Sequence, residues 1–276
     1  MLTLGIYHRL TVVRESEQGF YLTKDEEDAI LLPNRYIPEG LQIGDEIDVF
    51  LYSDSQGRPI ATTLTPMLTL HEFAALEVTS VTKYGAFMEW GIAKELLVPF
   101  REQNRKLNEG DIAVVYLFYD EVSCRLVGSA KVRKFLSTEQ PDVKEGERVE
   151  ILVYDQNDLG YKVIINNLYE GMIYENEMYS ALQIGDQSYA YVRKIRDDNK
   201  IDLQLQPLGY AKIASNSEKI LQFLKENNGW LPLTDKSSPS EIKQMLSMSK
   251  KTFKQAVGDL YKKQFIALKE DGISLR

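Results

Sequence analysis

Two histidines, His8 and His71, and one cysteine, Cys124, are the chain's whole supply of the side chains that most often ligate zinc or pair as nucleophile and base. A single thiol cannot complete a Cys/His zinc set. His8 lies near the N-terminus and His71 in the segment Leu70-His71-Glu72-Phe73. No Gly-rich loop ends in Gly-Lys-Ser/Thr, so no phosphate loop of that kind exists. The acidic pairs Asp120-Glu121 and Asp197-Asp198 fall where turns are predicted and read as solvated turn residues. The expectation is a protein without catalysis, cofactor or metal. Cys124, near Val122, Leu126 and Val127, reads as a buried strand thiol. As the one cysteine it also rules out an intrachain disulfide and points to a reducing compartment.

The residue types left for binding are aromatic and basic. Sixteen of the 276 residues are Tyr, whose apolar face and polar tip suit a wet surface, though equally a strand. The net charge of −8 is unevenly spread. From Pro207 to Arg276 there are twelve Lys/Arg against seven Asp/Glu, whereas the preceding residues carry 21 against 34. Such asymmetry points to an acidic partner for the basic part. The start of the chain lacks the basic and apolar regions of a signal peptide, and no apolar run approaches the ~18 residues of a membrane span, so a cytoplasmic protein is expected.

The elements that must position these side chains emerge from a threefold repeat. Gly-Asp opens an alternating apolar segment at Gly44-Asp45, Gly110-Asp111 and Gly185-Asp186, and each pair follows a strand glycine (Gly19, Gly85, Gly160) by 25 residues. Pro33, Pro99 and Tyr174 each stand 14 residues after that glycine. Around these markers each unit reads as five short strands with Gly/Asp/Asn turns, the pattern of a small closed barrel in which the glycine lets a strand bend. Short links near Pro66-Met67 and Glu139-Gln140-Pro141 predict limited but real freedom between units.

After Pro207 the period changes. Ser215 and Glu218 have capping-box spacing for a first helix that ends before Asn228-Gly229. Trp230-Leu231-Pro232-Leu233 reads as a short strand or extended link. Ser238 with Glu241, and Pro239 at the first helical position, open a second helix. A third places Phe253, Val257, Leu260 and Tyr261 on one face, and Glu270-Asp271-Gly272 turns a final hairpin. Helix, helix-turn-helix and hairpin make a winged helix. Its third helix carries Lys250, Lys251, Lys254 and Lys262, with Lys263 beside them, and Gln255 is the one residue there suited to a base edge. That composition favours tracking RNA phosphates over reading a DNA operator.

The repeat resembles the S1-type RNA-binding domain, an OB-fold with the same glycine, Gly-Asp and basic last strand. The resemblance implies RNA on aromatics flanking the glycine, on a residue ending the third strand (usually His) and on a basic residue of the fifth strand. Carried over, it assigns Tyr84, Phe87 and Arg125 in the second repeat, which matches best. It assigns Tyr161, Tyr174 and Lys200 in the third, and Phe20, Tyr21 and Arg58 in the first. Pro33 and Pro99 replace the usual His, and Gln18 and Leu159 replace the aromatic before the glycine, which weakens the case for the first repeat above all.

Three S1-type repeats and a winged helix form the layout of the bacterial conserved virulence factor B family, and the resemblance covers essentially the whole chain. The fold class expected is therefore mainly β: OB-fold (S1-type) five-stranded barrels over 1–66, 67–138 and 139–208, then an α/β winged helix over 209–276. The resemblance implies RNA binding tied to post-transcriptional control, including control of virulence genes. Single-stranded RNA is the expected partner, with DNA possible and no membrane. A DNA-binding regulator whose barrels dimerise or sense, and a protein-docking adaptor of ribosome or polymerase, remain the competing expectations.

Overall fold

The computed structural model describes residues 2–24, 29–175, 182–206 and 210–276. The chain divides into two compact units, 1–205 and 206–276. The expected boundary near 208–209 lies outside the described residues.

The first unit holds the three repeats. β1 (Tyr7–Ser16), β2 (Gly19–Thr23), β3 (Ile30–Pro33), β4 (Glu46–Ser53) and β5 (Pro59–Thr62) close a barrel in the order β1-β2-β3-β5-β4. β11 (Arg148–Asn157), β12 (Gly160–Ile165), β13 (Tyr169–Tyr174), β14 (Gln187–Ile195) and β15 (Ile201–Gln204) repeat that order. Between them β6 (Phe73–Thr82), β7 (Gly85–Met88), β8 (Leu96–Pro99), β9 (Ile112–Asp120) and β10 (Arg125–Ser129) form a five-stranded sheet in the order β10-β9-β6-β7-β8. Its outer strands meet where Gly128 packs on Leu96 and Val98.

The markers of the repeat are backbone requirements. Gly19, Gly85 and Gly160 have φ of +146°, +147° and +144°, and a Cβ there would stand 2.0–2.3 Å from the carbonyl oxygen of Leu32, Val98 or Ile173. Only glycine meets both conditions. The Gly-Asp pair clamps the first strand at its bulge. Gly44, Gly110 and Gly185 donate their N–H to the carbonyls of Val12, Val78 and Val153 at 2.8–2.9 Å. The N–H groups of those valines donate in turn to Asp45, Asp111 and Asp186 at 2.9–3.0 Å. Each Asp carboxylate also accepts the backbone N–H three residues earlier, from Gln42, Asn108 or Gln183.

The three barrels of this unit are docked rather than loosely strung. Phe50 and Tyr52 of β4 are buried in one cluster with Leu68, Trp90 and the second barrel's core, and the Phe50 and Trp90 rings meet edge-on at 5.8 Å. Phe73, Val114, Val132 and Leu136 pack likewise on Leu152, Tyr154 and Ile164 of the third barrel. Asn167 crosses that second seam, accepting the Phe73 N–H at 3.0 Å and donating to the His71 carbonyl at 3.2 Å. The links are consumed by packing: Leu68 is buried and the Met67 N–H donates to Trp90 O. The expected freedom between repeats therefore does not hold within this unit.

The second unit is a winged helix: α1 (Tyr210–Glu226), β16 (Trp230–Leu231), α2 (Pro239–Leu246), α3 (Lys250–Lys262), β17 (Ile266–Leu268) and β18 (Ile273–Leu275), with the sheet in the order β16-β18-β17. Ser238 and Glu241 form the expected capping box with Pro239 in the first turn. Ser249 caps α3 by accepting the Thr252 N–H. Two expectations change. α1 begins at Tyr210, so Ser215 lies inside it rather than capping it. Tyr261, placed with the core face, is 51% exposed, while Ala256 is buried between Phe253 and Leu260.

Candidate nucleic-acid interface

Which way a side chain points from β2, β7 and β12 is set by the bend at the glycine. The residue immediately after it turns inward: Phe20 packs on the first barrel's core, Ala86 is fully buried, and Tyr161 is 8% exposed within the third core. The next residue turns outward, and these are Tyr21, Phe87 and Lys162. Opposite them on the third strand stand Leu31, Leu97 and Met172, the same register position in each barrel. Of the carried-over residues, Phe20 and Tyr161 are thus structural. Tyr161 is buried in its barrel and Phe20 is partly buried against its own, because alternation along the strand directs both towards the interior.

Tyr21 and Phe87 remain on the outer face. Tyr84, in the β6–β7 turn, is 62% exposed, with the Lys83 ammonium 5.1 Å from its ring centroid. Tyr174 ends β13, partly exposed, but its hydroxyl is held by Arg196 and by Asp202. The outward Lys162 is paired with Asp155 at 2.6 Å. Beside its glycine the third barrel thus engages Lys162 and Tyr174 with its own residues, whereas the first two present aromatic rings there.

The three basic candidates fall at one place, the start of the last strand. Arg58 donates to Asp54 through Nε at 2.9 Å and Nη2 at 2.7 Å, yet its side chain is 70% exposed. Lys200 pairs with Asp198 at 2.6 Å. Arg125 is exposed at the head of β10. Lys94 joins Arg58 and Arg125 across the seam of the first two barrels. Its ammonium donates to Ser53 O at 2.7 Å and Asp54 O at 2.9 Å, and it is held below the ordinary lysine range by burial first and then by the Arg125 charge. Burial works to raise the Asp54 carboxyl, but hydrogen bonds from the Arg58 and Gln56 backbone and the Arg58 guanidinium hold it low. The turn is therefore a charged, hydrogen-bonded platform at neutral pH.

Beside that platform a groove of 900 Å³ opens, lined by Tyr21, Leu31, Asp54, Arg58, Ile60 and, from the second barrel, Tyr119. The repeat whose departures from the family pattern weakened its case most thus has a concave surface beside its outward aromatic. Tyr119 was not singled out from sequence, since nothing in a strand's alternation separates it from its neighbours. Cys124 also differs from expectation. It is exposed, at φ +52° in the β9–β10 turn, because β9 ends at Asp120 before the apolar residues around the thiol. The turn carboxylates Asp120 and Asp198 are engaged locally, the first by Ser123 and Arg101 and the second by Lys200.

On α3 of the second unit, Lys251, Lys254, Gln255 and Lys262 are exposed on one face. Lys250, in the first turn, is partly buried. Among the described residues no helix is long and apolar enough to cross a membrane.

Known proteins share this layout. An S1 domain is matched over residues 4–64, the first repeat, and a CvfB-like winged helix domain over residues 218–275. The chain is 28% identical over 282 residues to Conserved virulence factor B of Staphylococcus epidermidis, covering 99% of this chain and 94% of that protein. It is 28% identical over 279 residues to the Bacillus subtilis protein YitL, covering 95% and 88%. A crystallised multidomain protein with nucleic acid binding domains from Streptococcus pneumoniae aligns with 99% of this chain and 98% of its own, at 24% identity and a TM-score of 0.44. S1 and winged-helix domains are nucleic-acid-binding kinds of domain. The chain is thus similar over nearly its full length to conserved virulence factor B proteins, and it carries an S1 domain and a CvfB-like winged helix domain.

Proposed function

We propose that this chain binds single-stranded RNA without catalysing its turnover, and that it acts in the cytoplasm as a post-transcriptional regulator. The observation that carries the reading is the shared outward position two residues after the repeat glycine. Tyr21 and Phe87 stand there on adjacent barrels, each beside an apolar third-strand residue, with Arg58 and Arg125 at the heads of the last strands. Unpaired bases expose π-faces, and stacking one on an aromatic ring is worth about 1–3 kcal/mol regardless of its identity. A neighbouring guanidinium supplies the phosphate contact and the salt dependence. Duplexes bury those faces, so this surface favours single strands. The exposed lysines of α3 add a second, phosphate-directed site, and linked weak sites gain affinity together. The name of the relatives speaks of virulence, and control of gene expression is the part in it proposed for an RNA-binding chain.

The test is fluorescence anisotropy of the full chain with single-stranded RNA, the matched single-stranded DNA and duplex DNA. Tightest binding to RNA is the expected result. Preference for duplex DNA, lost in Lys254→Ala/Gln255→Ala, would instead support a winged-helix DNA regulator, and binding to none of the three a protein-docking adaptor.

A further inference from the structure

Tyr119 lies outside the aromatic positions that flank the repeat glycines, yet it faces the first barrel's binding surface. It stands in β9 opposite Leu126 and is 40% exposed. Its ring lines the same 900 Å³ groove as Tyr21, Leu31, Ile60 and Arg58. The volume falls in the range of roughly 300–1,000 Å³ typical of small-ligand sites.

The walls have the chemistry of a nucleotide site. Leu31 and Ile60 supply apolar floor, and the two tyrosines, from different barrels, supply π-faces. The Arg14 guanidinium lies 3.6 Å from the Tyr21 ring centroid and covers one of its faces, while Tyr21 itself lines the groove. Arg58 spends its Nε and one Nη on Asp54, which leaves other N–H groups of a guanidinium that is mostly exposed. The groove is bordered by the docked seam. Phe50 against Trp90 fixes the barrels, and Lys94 ties the carbonyls of Ser53 and Asp54, so the turn bearing Arg58 is anchored from the second barrel. A site that is already formed loses little entropy on filling.

We infer that this groove between the first two barrels binds one unpaired ribonucleotide of the RNA strand, its base stacked on Tyr119 and its phosphate on Arg58, so that the strand passes from the first barrel to the second there. The inference rests on the RNA-binding reading. It adds a composite site that neither barrel has alone.

The experiment titrates a short fluorescein-labelled single-stranded RNA with the full chain, comparing wild type, Tyr119→Ala, Tyr119→Phe and the Tyr84→Ala/Phe87→Ala variant, each checked for an unchanged thermal melt. Tyr119→Ala is expected to weaken binding about tenfold. Tyr119→Phe, which keeps the ring and loses the hydroxyl, is expected to bind like wild type. Wild-type affinity in Tyr119→Ala, with the Tyr84→Ala/Phe87→Ala variant still weakened, would overturn the groove while leaving the RNA reading intact. Failure of the wild type to bind RNA would overturn the reading and the groove with it.

Discussion

Phe20 and Tyr21 are neighbours in sequence and serve different ends, as do Tyr161 and Lys162. The inward members are core, so removing Tyr161 leaves a cavity. Tyr161→Ala should cost about 3–5 kcal/mol in urea unfolding, the scale of other large-aromatic truncations. Phe87→Ala, on the outer face, should leave the urea midpoint nearly unchanged and weaken RNA binding about tenfold. The repeat glycine is a third kind of residue, fixed by backbone alone. Gly85→Ala puts a Cβ 2.3 Å from the Val98 oxygen at φ +147°. A loss of about 2–3 kcal/mol is expected in the same assay. Candidates beside the glycine could be named from sequence because the glycine marks the bend. Their direction could not, because it depends on where the first strand bulges, and the register shifts at Val12/Arg14, Val78/Ser80 and Val153/Asp155 show only in the paired structure.

At the scale of elements, what was legible is what the backbone enforces locally. The two constant spacings correspond to the glycine bend and to the Gly-Asp clamp on the valine of the first strand. The second and third strands and the hairpin of the wing also fall where alternation and turn residues put them. The third helix's exposed lysines were legible too, since 3.6-residue periodicity separates faces. What joins elements distant in sequence was not. The seams at Phe50/Trp90 and at Asn167 look in sequence like any strand or turn residues, and the prolines of the links, Pro66 and Pro141, concealed their burial. These seams carry their own tests. Asn167→Ala removes two hydrogen bonds across the second seam and should cost about 1–2 kcal/mol. Tyr52, in the first seam, has its phenol pushed from the ordinary 10.0 up to about 12, chiefly by burial and then by the Tyr36 hydroxyl. The folded state holds that proton more tightly than the unfolded chain. Its contribution to stability is therefore complete below pH 10 and is lost as pH rises towards 12. Alkaline unfolding followed by tryptophan fluorescence should be steep in that window, and Tyr52→Phe should flatten it.

At the scale of the whole molecule, the proposed reading has a chain of net charge −8 bind a polyanion through places where local charge and aromatic surface outweigh the average. Beside the repeat glycines the first two barrels present Tyr21 and Phe87 outward, whereas the third pairs its outward Lys162 with Asp155. The winged helix contributes the exposed lysines of α3, for which phosphate contact is proposed. The two kinds of contact differ in how they respond to salt. Lys251→Ala/Lys254→Ala should lessen the slope of log K against log salt by about one to two, because each phosphate contact releases condensed counterions. Removing a stacking ring releases none. The most direct measurement is therefore the affinity of the full-length Tyr21→Ala/Phe87→Ala variant for single-stranded RNA across a salt series. The account predicts affinity reduced at every salt concentration with a slope equal to that of wild type. Affinity unchanged from wild type would contradict it, since the outward aromatics of the first two barrels would then not be where RNA binds.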